Sequence, residues 1–351
     1  MSKTGIMKFL LLIAMTAVFG FSSVDAQKAI FLHHSTGAGV WSGGNGSSVP
    51  DLLDAYNTEN GTAYEIVERS FPTGSYPWDN YPYDYWNIWI NGNCSETELS
   101  TQCLENICNE YDLVIFKHCF PGAAIQADNG EPDVTSDTKT TGNYKAQYRA
   151  LRTLMDGFSE TKFMVWTLVP LHRLATNADE ASRAKAFVDW VNNDWLNEDG
   201  KSHPNIFIFD FFAHVAEQST EPENGQTYCL KYDYEGSHTG SDSHPNDLAN
   251  AVMAPVFIQA VTDVFEQGNT GTGKAETTAF LYPNPVKDEL MISMEKPVKK
   301  IILTDLTGRN VLTIPAPRDH IVIDMSGLIT GIYFVSFLSD EGIVTEKVIR
   351  Q

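Results

Sequence analysis

Between Lys28 and Gln267, short apolar runs alternate with segments of helical spacing, and this alternation restricts the fold more than any other feature of the chain. The runs Lys28–Leu32, Tyr64–Glu68, Asp112–Phe116, Thr161–Val169 and Asn205–Phe212 read as strands. Tyr144–Phe158, Asp179–Leu196 and Asn246–Phe265 read as helices; in the second, Ala184, Phe187, Val188, Val191 and Trp195 fall on one face. Strands separated by helices pair in parallel, with both faces of the sheet covered. The expected fold is therefore a three-layer α/β unit. Ligands of such sheets meet the carboxyl ends of the strands. The polar residues at those ends are His33, His34 and Ser35; Arg69, Ser70 and the Pro72-Thr73-Gly74 turn; Lys117, His118 and Cys119; and His172 and Arg173. The loop before the last helix adds His238, Asp242 and His244.

Charge narrows the partners. Of the formal net charge of −21, residues 27–273 carry all of it, with 34 acidic and 13 basic side chains. Nucleic acid and anionic membrane surfaces both need clustered Lys and Arg, so neither is expected. An uncharged acylated polysaccharide or oligosaccharide suits such a surface better.

Residues 1–26 read as a signal peptide. Lys3 and Lys8 precede an apolar run from Phe9 to Phe21, and small residues from Ser22 to Ala26 precede the expected cut. The run is shorter than the ~20 residues needed to span a bilayer, and no later stretch is expected to span one. Export permits disulfides. Cys94, Cys103 and Cys108 lie close together, with Cys119 and Cys229 farther off. The pairing stays open, and the absence of CxxC favours structural bridges over a metal site.

A hydroxyl nucleophile needs a base within hydrogen-bond reach and a carboxylate to orient that base. Ser35, His244 and Asp242 meet the requirement by type and by place. Ser70 and Gly74 are the candidates for the oxyanion site, and His34, His118 and His172 for lining the substrate. The stretch from Phe71 to Asn91 holds seven Tyr and Trp residues and three prolines. Prolines exclude a core strand, so Trp78 and Trp86 are expected on a loop, free to stack on sugar rings or to pack against the loop itself. Each residue has a plainer role open to it: Ser35 as a helix cap, Asp242 and His244 as caps of the last helix, His33 as a buried hydrogen-bonded histidine, and Asp210 as a structural group.

These residues resemble the SGNH/GDSL hydrolases. Ser35-Thr36-Gly37 follows strand one, Asp242-Ser243-His244-Pro245-Asn246 precedes the last helix, Thr167-Leu168-Val169-Pro170 matches a proline-ended strand, and Ile208–Phe212 a strand closed by Asp. The family's Gly-Asp before the serine is His33-His34 here, and Asp242 and His244 are spaced by two rather than three. The resemblance implies a flavodoxin-like parallel sheet and a serine esterase without a cofactor. Two other readings are a glycan-binding protein that has lost catalysis and a metal-dependent hydrolase using His33, His34 and His244.

Residues 268–274 read as a linker. Beyond it, residues 275–351 hold short alternating runs separated by turns, the pattern of a small all-β sandwich. Tyr282-Pro283-Asn284-Pro285, Leu303–Arg309, Gly327-Leu328, Gly331-Ile332-Tyr333 and Glu346–Arg350 resemble the type IX secretion C-terminal sorting domain. That resemblance implies a Bacteroidetes-type bacterium, engagement of the type IX machinery, and release or attachment at the cell surface. A small carbohydrate-binding β module is the alternative.

Overall fold

The computed structural model describes residues 26–219, 221–222, 225–269, 279–294, 298–305, 309–315, 320–338 and 343–351. The expected signal peptide, up to its last residue, and most of the expected linker lie outside them. The chain divides into two compact units at Ala260 and Val261.

The first unit runs β1 (Lys28–His33), α1 (Thr36–Ser42), α2 (Val49–Asn60), β2 (Glu65–Ser70), α3 (Pro82–Trp89), α4 (Leu104–Cys108), β3 (Leu113–Phe116), α5 (Thr141–Met155), β4 (Lys162–Trp166), α6 (Ala178–Asn193), β5 (Ile206–Phe209), α7 (Phe211–Val215) and the first part of α8 (Asp247–Asn269), within which the boundary falls. All five strands are parallel, in the order β2-β1-β3-β4-β5. This is the flavodoxin-like order, in which the chain leaves β1 for one edge and then returns to its other side as β3. The loops after β1 and β3 thus diverge, leaving a crevice between them. Trp166, fully buried at the end of β4, stacks on Phe31 and Phe211 and meets Phe257 of α8 edge-on.

Three expectations change. Residues Phe71–Asn91 are not a loop throughout, because Pro82 sits in the first turn of α3 and Asp84 caps it by accepting from Tyr81 N–H at 3.1 Å. The expected fifth strand stops at Phe209, where Asp210 caps α7 through Ala213 N–H. Asp247–Gln267 is long and apolar enough to cross a bilayer by length and composition, contrary to the expectation of no such stretch. Its Phe257 is buried against Phe31, Trp166 and Phe209 of the sheet.

The second unit contains β6 (Ala279–Tyr282), β7 (Glu289–Met294), β8 (Lys300–Asp305), β9 (Asn310–Pro315), β10 (His320–Asp324), β11 (Gly331–Leu338) and β12 (Ile343–Arg350). They form antiparallel sheets of order β10-β7-β6 and β12-β11-β8-β9. Alternate residues of both sheets, among them Leu290, Ile292, Ile301, Leu303, Val335 and Phe337, share one apolar core.

Candidate active site

Ser35 sits at the carboxyl end of β1 with φ 35° and ψ −88°. That is a left-handed backbone a serine adopts only under constraint. The constraint is visible on both sides. Gly37 N–H donates to His34 O at 2.9 Å, and the turn packs so closely that a Cβ on Gly37 would lie 2.5 Å from the His33 ring. Although Ser35 precedes α1, its side chain makes no capping bond. Its Oγ is left exposed, 3.7 Å from Cys119 Sγ.

The second half of the site comes from the loop before α8. His244 Nδ1–H donates to Asp242 Oδ1 at 2.6 Å, and His244 N–H donates to the same oxygen at 3.1 Å. The backbone bond first, then the ring, hold the Asp242 carboxyl below its usual range. Fixing Nδ1 as the protonated nitrogen leaves Nε2 with a free lone pair, the form a general base needs. Consecutive residues tie the two halves together: Cys119 touches Ser35, and the Phe120 ring meets the His244 ring edge-on at 4.8 Å. Among the described residues, Ser35 Oγ makes no hydrogen bond to His244.

Beneath the serine turn lies a strand-end residue to which the sequence assigns no role. Lys117, at the end of the central strand β3, is fully buried, and its ammonium donates to His34 O at 3.1 Å and lies 3.6 Å from Cys119 Sγ. Burial pulls its pKa down. The sequence signal was its place: a residue ending the middle strand of a covered sheet is enclosed whatever its type.

The other candidates separate clearly. His34 Nε2–H donates to Pro72 O at 2.6 Å, and its ring stacks on Trp78 at 3.7 Å. Gly74, with φ 71°, has the backbone expected of a tight turn. Ser70 is exposed at the end of edge strand β2. His118 is not at the surface of the site: it is fully buried, with Nε2 2.8 Å from Tyr148 OH. His172 is likewise fully enclosed, and it does not face substrate because its ring is used internally. Its Nδ1 accepts from Leu174 N–H at 3.0 Å, and its Nε2 lies 3.1 Å from both Ser237 O and buried Glu235. Arg173 pairs with the same Glu235 at 3.0 Å. Trp86, expected on a loop, is buried in α3; Trp78 keeps partial exposure. His33 is buried and bonded to Glu68 at 2.8 Å. Of the cysteines, Cys94 and Cys103 are bridged to each other, whereas Cys108 and Cys119 keep free thiols.

Burial pushes the pKa of His33 and of His118 down to about 3, with Lys117 adding to both. In the unfolded chain a histidine titrates near 6.5. The unfolded state therefore binds protons that the native state refuses, and stability present above pH 6.5 is lost as pH falls toward 3. The unfolding free energy read from urea melts should drop between pH 7.5 and pH 5, by about 2 kcal/mol per histidine. His118→Gln should flatten that dependence by one proton; equal slopes in the two proteins would contradict it.

Residues 280–351 match the family model described as the secretion system C-terminal sorting domain. No curated protein matches the chain. Similar solved structures include an acetyl xylan esterase, at 15% identity and TM-score 0.39, covering 67% of this chain and 99% of that one. A carbohydrate acetylesterase from Xanthomonas citri is 11% identical with TM-score 0.36, covering 92% and 79%. PorZ, a surface component of the type-IX secretion system of Porphyromonas gingivalis, is 20% identical with TM-score 0.21; this chain spans 13% of its length, with 23% of its own residues covered. The C-terminal unit is thus a secretion sorting domain, which marks the chain for export to the cell surface or beyond.

Proposed function

We propose that the chain is an exported serine esterase of SGNH type that removes O-acyl groups, acetyl foremost, from carbohydrate. The observation that carries this reading is the uncapped, exposed Ser35 hydroxyl on a left-handed backbone at the end of β1. A mere helix cap would accept from the backbone and would need no such conformation. The Asp242–His244 pair supports it from the opposite side of the crevice.

In this mechanism Ser35 Oγ attacks the ester carbonyl while His244 Nε2 takes its proton. The carbonyl oxygen becomes an oxyanion facing the backbone N–H groups of Ser35 and Gly74. Collapse breaks the bond to the sugar oxygen, which leaves with the proton from His244. A water then gives its proton to His244 and attacks the acyl-serine, releasing the carboxylic acid and restoring Ser35. Asp242 holds the imidazole tautomer throughout and steadies the imidazolium. Rotation of the two exposed side chains brings Ser35 and His244 together, as is common when substrate binds.

The test is labelling of the full chain with a fluorophosphonate, read by peptide mass, alongside hydrolysis of p-nitrophenyl acetate and of acetylated oligosaccharides. A label on the Ser35 peptide together with turnover supports the assignment; turnover with Ser35 unlabelled, or neither result, overturns it. A glycan-binding protein without turnover is the second reading, favoured by the resting contact of Ser35 with Cys119 rather than with His244. It requires oligosaccharide binding that Ser35→Ala leaves intact and no hydrolysis.

A further inference from the structure

A cavity of about 610 Å³ opens between the segment Thr73–Pro77 and the segment Asn93–Thr101. Its two walls are braced and tied to one another. The Cys94–Cys103 disulfide closes the second segment on itself. Thr73 N–H donates to Ser100 O at 2.9 Å and ties the first segment to it. Gly74 lies at the closest approach, where an added Cβ would come within 3.4 Å of the Ser100 side chain. Asn87 organises the floor: its Nδ2 donates to Tyr76 OH at 2.8 Å, and its Oδ1 accepts from Asn93 Nδ2 at 2.8 Å.

The lining is made of hydroxyls and amides. Thr73, Ser75, Ser100 and Thr101 bring hydroxyls, Asn87 and Asn93 bring amides, and Tyr76 and Pro77 add apolar faces. Glu98 is the one charged side chain among the described lining residues, and it is acidic. Groups that both donate and accept match the alternating demands of sugar hydroxyls. The lone carboxylate, in a unit already strongly acidic, opposes uronates and phosphosugars.

One wall of the cavity is also held by the residue next to Ser35. His34, the residue before Ser35, holds both ends of the Thr73–Pro77 segment: its Nε2–H donates to Pro72 O, and its ring stacks on Trp78. We infer that this cavity is the subsite for the uncharged oligosaccharide chain whose acyl ester is presented to Ser35. The presentation at Ser35 rests on the esterase reading; the binding of sugar in the cavity does not. Braced walls lower the ordering cost of binding and fit a site formed before its ligand arrives.

The experiment uses the full chain carrying Ser35→Ala, titrated by calorimetry with xylohexaose, cellohexaose and mannohexaose, and with an oligogalacturonate as the anionic control. At least one uncharged hexaose should bind. Asn93→Ala, on an exposed position, should weaken that binding at least tenfold, and Ser75→Trp, also exposed, should abolish it by filling the cavity. With Ser35 intact, Asn93→Ala should lower the ratio of kcat/KM on the acetylated hexaose to that on p-nitrophenyl acetate at least tenfold. Binding unaffected by both variants, binding of the anionic control alone, or no hexaose binding overturns the inference. Wild-type protein that hydrolyses neither ester defeats the esterase reading, while the calorimetry still decides the cavity.

Discussion

Ser35→Ala should lower kcat on p-nitrophenyl acetate by about 10⁴-fold or more while leaving the urea midpoint close to that of the wild type. Loss of a serine nucleophile in a triad removes most of the rate enhancement, because the base and its carboxylate have no partner to act through. His244→Ala should fall to a similar floor, and the double variant no lower, since residues that work as a unit are not additive. Stability follows a different rule at this position. The left-handed backbone costs a residue with a Cβ roughly 1–3 kcal/mol, and glycine escapes that strain. Ser35→Gly should therefore be inactive yet more stable than Ser35→Ala, by about 1 kcal/mol once its looser unfolded chain is counted. Activity retained within tenfold in Ser35→Ala would remove the nucleophile from the proposal; Ser35→Gly less stable than Ser35→Ala would remove the strain.

The largest loss of stability is expected at Trp166. It is fully buried and meets Phe31 at 4.9 Å, Phe209 at 4.9 Å, Phe211 at 5.0 Å and Phe257 at 4.9 Å, so it joins three strands to α7 and α8. Trp166→Ala removes the indole from a site that rings on every side keep from collapsing, and should cost about 3–5 kcal/mol. Its Nε1–H has no hydrogen-bond partner among the described residues. Trp166→Phe discards that unpaired donor along with some volume, so it should cost clearly less than Trp166→Ala. Urea unfolding of the three proteins decides the matter; an alanine variant that loses under about 1 kcal/mol, or a phenylalanine variant no better than alanine, would refute the account.

What the sequence made legible follows from how each signal arises. Four of the five strands and the last helix were readable because apolar runs of that length must be buried, and strand alternation with helices leaves only a parallel sheet. The position of Ser35 after β1 and of Asp242 and His244 before α8 was readable because these residues flank elements with clear sequence signals. The burial of His118 and His172 was not, since it depends on which strand is central and on Tyr148 and Glu235, remote in the chain. The prolines from Phe71 to Asn91 correctly excluded a strand, but Pro82 with Asp84 two residues on was a helix-start signal that the aromatic content masked. The partner choice among Cys94, Cys103 and Cys108 needed three-dimensional proximity, which spacing alone does not supply.

The strand order leaves β2 and β5 as the two borders of the first sheet. Strand β2 carries Glu65, Glu68 and Arg69 among its six residues, and β5 is only four residues long. Charges and brevity are the two simplest ways to stop a border from recruiting a strand of another molecule. Both borders are thereby poor templates for a strand of another molecule, which opposes edge-to-edge aggregation.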